Sequence, residues 1–509
     1  MSLFAACGWS FVRALVIAAI SLPIAAWLAG MLSGTRSNRK LGPKVLLIAL
    51  LVPFLMPELL IGFVYSETTL RLVREFSDPA ATMTLPTQPR LRQTMDRPIN
   101  SADVTAECLY SALLLFRFVP VAALVMWLMP SPRLSAEAIH CERLLMRNER
   151  DGWRRLRSRL GCFVRGPMMA ALPAFAIVFL LVFQEFEIAS LMQISRAPVA
   201  WTVWLFDNHA GWLMPSRSLQ LSIVPVLCEL VVVGAVFVAL LRSDWHQTES
   251  LTKTKRTSEP LRWTATVFLV AAIVMCVGIP LWRMGSGVAG GIATLGRQPE
   301  MLSKFLGELL ISLAFGLAAG LAAYWLTGFL FGRRPRTTLT TLCVIPGLIG
   351  SLVLSLVALA LFQLPIMRSA YDTPVPMLIA LTLYLLPRAV LLRIVFFSRQ
   401  PREPIFIAQT MAESGDGNLR RRGLALLWVM RKQPAFWVVV LLTYWGYWDL
   451  TVASVLRPTN LEPFTPGLYN LMHYGRNETL TAMTLLAGVF PAAVLLLAAA
   501  SRRAWRVIC

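Results

Sequence analysis

Charge is scarce in this chain. Only 15% of its 509 residues are Asp, Glu, Lys or Arg, while 57% are hydrophobic and the mean hydropathy is +0.63. An ordinary soluble domain is about 25% charged, so disordered, fibrous and common cytosolic classes are excluded. Histidine is equally thin: His140, His209, His246 and His473 are too dispersed for a histidine-rich metal centre. The eight cysteines stand singly without a C-x-x-C pair, which leaves neither a disulfide framework nor a zinc motif. No G-x-x-x-x-G-K-[ST] occurs, so no nucleotide phosphate is cradled in that way. The opening MSLFAACGW has no basic stretch ahead of its apolar run, and the first segment is expected to stay as a span rather than be cleaved.

What is present is length and apolarity in blocks. About 20 apolar residues cross roughly 30 Å of hydrocarbon, and eleven segments qualify: 9–31, 45–65, 107–129, 168–190, 220–242, 264–283, 305–331, 341–362, 375–397, 435–456 and 480–500. The expected fold class is therefore an all-α polytopic membrane protein. Its charge of +21 is placed unevenly. The loops 32–44, 130–167, 242–262, 332–340, 398–434 and 501–509 hold 31 Lys and Arg against 13 on the other side. The positive-inside rule makes the basic side cytoplasmic, with the amino terminus outside and the carboxyl terminus inside. No basic stripe is interleaved with exposed aromatics, so the charge reads as membrane loops and no nucleic-acid partner is expected.

The chain repeats itself. Ala25 to Arg36 aligns without gaps on Ala323 to Arg334, sharing a W-L-x-G-x-L-x-G-x-R pattern at an offset of 298. Pro53 pairs with Pro346, and Phe118-Val119-Pro120 with Leu385-Leu386-Pro387. Further on, Glu185-Phe186-Glu187-Ile188-Ala189-Ser190 pairs with Asp449-Leu450-Thr451-Val452-Ala453-Ser454. Paired spans lie six apart, an even number, so the second copy has the orientation of the first. The expected halves are parallel repeats of five and six spans over 1–245 and 263–509, joined by a basic linker at 246–262. Span six has no counterpart. It marks either a span lost from the first copy or a true start upstream of Met1. The first half also carries an excursion, about 66–106, on the non-cytoplasmic side.

Each half has one large basic loop at the same place, 130–167 and 398–434. In the first, Ser135 to Met146 reads as a short amphipathic helix before Trp153-Arg154-Arg155 and Arg165-Gly166-Pro167. In the second, Ile405 to Gly417 is followed by Leu419-Arg420-Arg421-Arg422 and Lys432-Gln433-Pro434. Two equivalent cytoplasmic helices suit a partner that is itself a dimer.

With these loops the chain resembles the fused inner-membrane permeases of binding-protein-dependent ABC importers, the iron(III) and thiamine type in particular. In that family a loop of pattern E-A-A-x-x-x-G holds a coupling helix that docks on the ATP-hydrolysing subunit. The matching positions here are Gln409, Thr410, Met411 and Gly415 in the second half and His140, Cys141, Glu142 and Met146 in the first, where Leu145 shares the helix. Gln184-Glu185-Phe186 and Trp448-Asp449-Leu450 look like the family's G-E-F element. The resemblance implies a type I permease fold in a bacterial inner membrane and a non-catalytic transport subunit without a cofactor. Its partners would be an ATPase dimer and an extracytoplasmic solute-binding protein, which the 66–106 excursion is placed to contact.

Ionisable residues inside spans are costly in lipid and usually face a bundle interior or cavity. Glu58, Glu185, Glu187 and Asp449 are the pathway candidates, suited to a small cation such as iron(III) or thiamine. The bland alternative pairs them with Arg117 and Arg388, which also stand beside Pro120 and Pro387, where they could bridge the proline-broken turns. A secondary carrier with no ATPase partner is the rival class.

Overall fold

The computed structural model describes residues 2–34, 42–76, 101–128, 153, 167–193, 199–211, 213–241, 259–285, 287–330, 337–397, 402–473 and 478–508. Among these every regular element is helical. Among the described residues nine helices are long and apolar enough to cross a bilayer, and two bent helix pairs raise the number to eleven when each pair is one span. This is a multi-pass helical membrane protein.

Contacts divide the chain into two compact units, Met1–Ala210 with Leu221–Arg283, and Gly211–Gln220 with Met284–Cys509. The first contains α1 (Leu3–Gly34), α2 (Gly42–Leu55), α3 (Glu58–Phe76), α4 (Ser101–Leu128), α5 (Pro167–Phe183), α6 (Glu187–Met192) and α7 (Trp201–Gly211). It also holds most of α8 (Pro215–Leu241), then α9 (Glu259–Ile273) and, to Arg283, α10 (Ile279–Gly285). At its centre α1 packs along α4 and α5. The ring of Phe179 lies 5.5 Å from those of Phe11 and Phe183, and Phe183 lies 5.4 Å from Trp201. The indole nitrogen of Trp201 donates to the Phe183 carbonyl at 2.7 Å, giving the buried ring a partner for its polar edge.

The sixth span packs on this unit. α9 touches α1, α2 and α4, with Phe268 5.2 Å from Phe116. A π-turn at Val274–Gly278 links α9 to α10. Such a turn disturbs the helical ladder, and here the Tyr65 hydroxyl donates to the Met275 carbonyl within it at 2.8 Å. Trp263 and Trp282 stand at the two ends of this span, 73% and 81% exposed. Nineteen residues of helix separate them by about 28 Å, close to the hydrocarbon thickness, and indoles favour both interfaces.

The second unit contains α11 (Val288–Arg297), α12 (Pro299–Leu330), α13 (Thr337–Leu348), α14 (Ser351–Phe362) and α15 (Val375–Phe397). It continues with α16 (Arg402–Glu413), α17 (Gly417–Leu427), α18 (Gln433–Tyr447), α19 (Thr451–Leu456), α20 (Phe464–His473) and α21 (Glu478–Ile508). Within it α12 packs closely along α18. A Cβ at Gly316 would stand 2.6 Å from the Thr443 carbonyl, and one at Gly320 3.0 Å from the Thr443 nitrogen. This is the small-x-x-x-small device that lets helix backbones touch where lipid supplies no hydrophobic drive. Phe315, Ala319 and Ala323 continue the seam into a core with Leu381, Leu385, Val438 and Leu442.

The second and eighth expected spans are not straight. Residues 45–55 and 58–69 meet at 65°, and 342–348 and 351–362 at 113°. The first bend falls at Met56-Pro57, where proline has no N–H for the ladder. The second falls at Gly350, whose φ of 86° is the left-handed region a side chain disfavours. The fourth and tenth expected spans also break, at residues 184–186 and 448–450.

Candidate functional site: buried charge at the helix breaks

A broken helix in lipid exposes backbone groups that need partners, and in the first unit acidic and basic side chains supply them. Glu185, 4% exposed, follows the end of α5 and folds over the start of α6. Its carboxylate accepts from the backbone nitrogens of Ile188 and Ala189 and from the Tyr110 hydroxyl of α4. Its own carbonyl accepts from the Thr202 hydroxyl at 2.7 Å. Glu187 reaches the other break, where it accepts from the Leu59 nitrogen at 3.2 Å near the start of α3. Gly62 makes that approach close: a Cβ there would sit 3.0 Å from Ile188 Cα.

Arg117 completes the second break. It donates to the Met56 carbonyl and pairs with Glu58 at 3.1 Å. The expectation that Arg117 bridges the turn of its own Pro120 is thus corrected. It serves the Met56 carbonyl, at the bend just past the end of α2. On the far side of Tyr110, Arg13 lies 4.8 Å over the phenol ring and forks onto Glu107 at 2.6 and 3.2 Å. Glu58, Glu107, Glu185 and Glu187 with Arg13 and Arg117 therefore surround both breaks, four carboxylates against two guanidiniums.

The second unit carries a lighter version. Asp449, 7% exposed, accepts from the Val452 nitrogen at 2.8 Å, and its carbonyl accepts from the Thr465 hydroxyl at 3.0 Å. Ser312 accepts from the Phe464 nitrogen at 3.0 Å, as Ser10 accepts from Trp201 at 3.2 Å in the first unit. Arg388 is held by Tyr384, its guanidinium 4.3 Å above that ring and 5.4 Å from the Trp445 ring. Where Glu187 stands in the first sequence copy, the second has Thr451.

Glu58, Glu185 and Glu187 are brought together, while Asp449 belongs to the other unit. His140, Cys141, Glu142, Leu145 and Met146 lie outside the described residues. Gln409, Thr410 and Met411 lie on α16, and Gly415 is in the turn that follows. That turn folds α17 back on α16. Gly423 permits the contact, since a Cβ there would meet the Ala412 nitrogen at 2.4 Å and the Ala408 carbonyl at 2.8 Å. Asp416 caps α17 by accepting from Asn418 at 2.9 Å. The outer face of α16 presents Phe406 and Ile407, 70% and 56% exposed, beside Thr410.

Glu229 was not among the sequence candidates. It is 2% exposed on α8, where Gln184 donates to one carboxyl oxygen at 3.1 Å and the other has no hydrogen-bond partner among the described residues. Its signal was plain: a lone carboxylate within Val224 to Val233, an otherwise apolar run except for proline. Glu107 and Tyr110 had no such signal, because their partners lie 94 and 75 residues away. Among the described residues no three His, Cys, Asp or Glu side chains form a metal-binding group. Comparison with family models, curated proteins and solved structures finds no match to the chain.

Proposed function

We propose that the chain is the transmembrane permease subunit of an ATP-driven, binding-protein-dependent ABC importer, with both pore halves in one polypeptide. The observation that carries this reading is the α16–α17 hairpin. An amphipathic helix follows an apolar span, turns at Gly415 and runs through α17 into the next apolar helix, with Phe406 and Ile407 open on its outer face. An apolar face of this kind suits insertion into a groove of a partner. With no phosphate cradle of its own, the subunit would be non-catalytic and the ATPase a separate dimer.

The parallel repeat is supported by the recurring contacts. Glu185 and Asp449 each hold the start of the short helix after a break, Thr202 and Thr465 each donate to the acid's carbonyl, and Ser10 and Ser312 each accept from the start of the following helix. The excess of carboxylates around the breaks favours a cationic solute, iron(III), thiamine or another small cation. Its delivery would fall to an extracytoplasmic binding protein. The location follows as a bacterial inner membrane, amino terminus outside and carboxyl terminus cytoplasmic.

The test is a pull-down of the tagged chain in mild detergent, wild type against Phe406→Glu with Met411→Arg. A Walker-type ATPase present with the wild type and lost with the variant supports the reading. An ATPase retained equally by both removes α16 as the coupling helix. The secondary-carrier reading draws on the buried Glu185 and Glu229, and uptake driven by an ion gradient without any ATPase would favour it.

A further inference from the structure

The carboxyl groups of the first unit are not held alike. Glu107 faces the Arg13 guanidinium at 2.6 Å, and Glu58 faces that of Arg117 at 3.1 Å. On Glu185 the backbone nitrogens of Ile188 and Ala189 and the Tyr110 hydroxyl converge. Each of these groups is met by a cation or by several donors, as a buried anion requires. Glu229 has neither. It is buried within the apolar stretch of α8, and its one hydrogen bond comes from a neutral amide, Gln184 Nε2 donating to Oε1 at 3.1 Å. Oε2 is covered and has no partner among the described residues. No guanidinium, ammonium or second carboxyl group of the described residues acts on it. The ionisable groups beside it are two thiols, Cys7 of α1 and Cys228 of α8, hydrogen-bonded to each other.

The chemistry of the pair decides the form of the acid. A carboxylate only accepts, and both of its oxygens need donors. Here one amide serves one oxygen, and the other would hold charge in apolar surroundings, where an unpaired ion is costly. A neutral carboxyl asks for less, because its carbonyl oxygen accepts from the amide and its second oxygen carries a hydrogen. Space selects the occupant as well. Neighbours close over Oε2, so no opening is left beside it for a metal ion with its other ligands or for an organic ammonium. A proton needs no opening of its own.

We propose that Glu229 is a proton-binding site, a neutral carboxylic acid with its carbonyl oxygen on the Gln184 amide and its hydroxyl at Oε2. The proton belongs to a contact between two elements. Gln184 follows the end of α5 and precedes Glu185, which caps α6, so the protonated pair fastens α8 to that break. Without the proton, a carboxylate with one neutral donor would stand in the seam, and α8 would lose its hold there. The site is separate from the coupling hairpin and does not depend on how transport is driven.

The test is infrared difference spectroscopy of the full-length chain in mild detergent at neutral pH, wild type against Glu229→Gln. Protonated carboxyl groups absorb at higher frequency than carboxylates, so the two forms are read separately. The variant should lose one protonated-carboxyl band and no carboxylate band. Gln184→Leu gives a second reading that stands even where Glu229→Gln fails to fold. It should keep the band but move it to higher frequency, because the carbonyl oxygen has lost its donor. Loss of carboxylate bands in Glu229→Gln, the mark of a charged Glu229 with water or a cation at Oε2, would overturn the proposal. A protonated-carboxyl region in Gln184→Leu identical to that of wild type would overturn it too.

Discussion

At the scale of the residue, buried charges in the first unit serve backbone before anything else. Glu185 and Glu187 bind N–H groups freed at two helix starts, and Arg117 binds the Met56 carbonyl at the bend after α2. The Arg13–Glu107 pair is of another kind, side chain to side chain, and removing one partner strands the other. Arg13→Met should cost about 3 kcal/mol, and the double change Arg13→Met with Glu107→Leu should recover most of it. Thermal midpoints of the three variants in one detergent check this.

Asp207 and His209 lie on α7, outside the apolar spans, and give the chain a pH signature there. Burial pushes the Asp207 carboxyl up to about 6. Between about 4 and 6 the folded chain keeps a proton that the unfolded chain has released, so this residue's contribution to stability falls as pH rises through that window. His209 acts in the opposite sense, because burial holds its imidazole below the ordinary range and stability is lost as pH falls. Asp207→Asn should therefore raise the thermal midpoint at pH 7 relative to pH 4, compared with the wild-type difference. An unchanged difference would remove Asp207 from the account.

At the scale of the element, hydropathy marked the apolar segments, and Pro57 stands at the first bend, while the second falls at Gly350, which no sequence pattern singled out. The breaks at 184–186 and 448–450 were not visible as breaks. Glu185 and Asp449 read as ionisable residues in otherwise apolar stretches, and only their bonds to Ile188, Ala189 and Val452 reveal them as helix caps. Their partners were invisible for a simpler reason. Periodicity reports which face of a helix is buried, not which distant tyrosine or arginine meets it. The seam at Gly316 and Gly320 carries its own prediction. Gly316→Leu pushes a side chain into the Thr443 carbonyl, and overpacking of this sort costs about 1–3 kcal/mol. A lower thermal midpoint should follow, while Gly307→Leu, on the same helix with nothing within 4 Å of its Cβ, should leave the midpoint nearly unchanged.

At the scale of the whole molecule, apolar surface faces outward on long helices, while a few charges, Arg117, Glu185 and Asp449 among them, are buried at the breaks. That arrangement agrees with what composition implied, since 15% charge cannot clothe a water-facing surface of this size. A transport pathway needs both a polar interior and a source of work. The permease reading places the work outside the chain, on an ATPase dimer gripping one helix from each half. Stoichiometry is the most direct check. The complex extracted in mild detergent should weigh as one copy of this chain with two copies of a Walker-type ATPase, both lost on disruption of α16 and its first-half counterpart near 135–146. The chain recovered without any ATPase, under conditions that keep a known ABC complex intact, would contradict the reading.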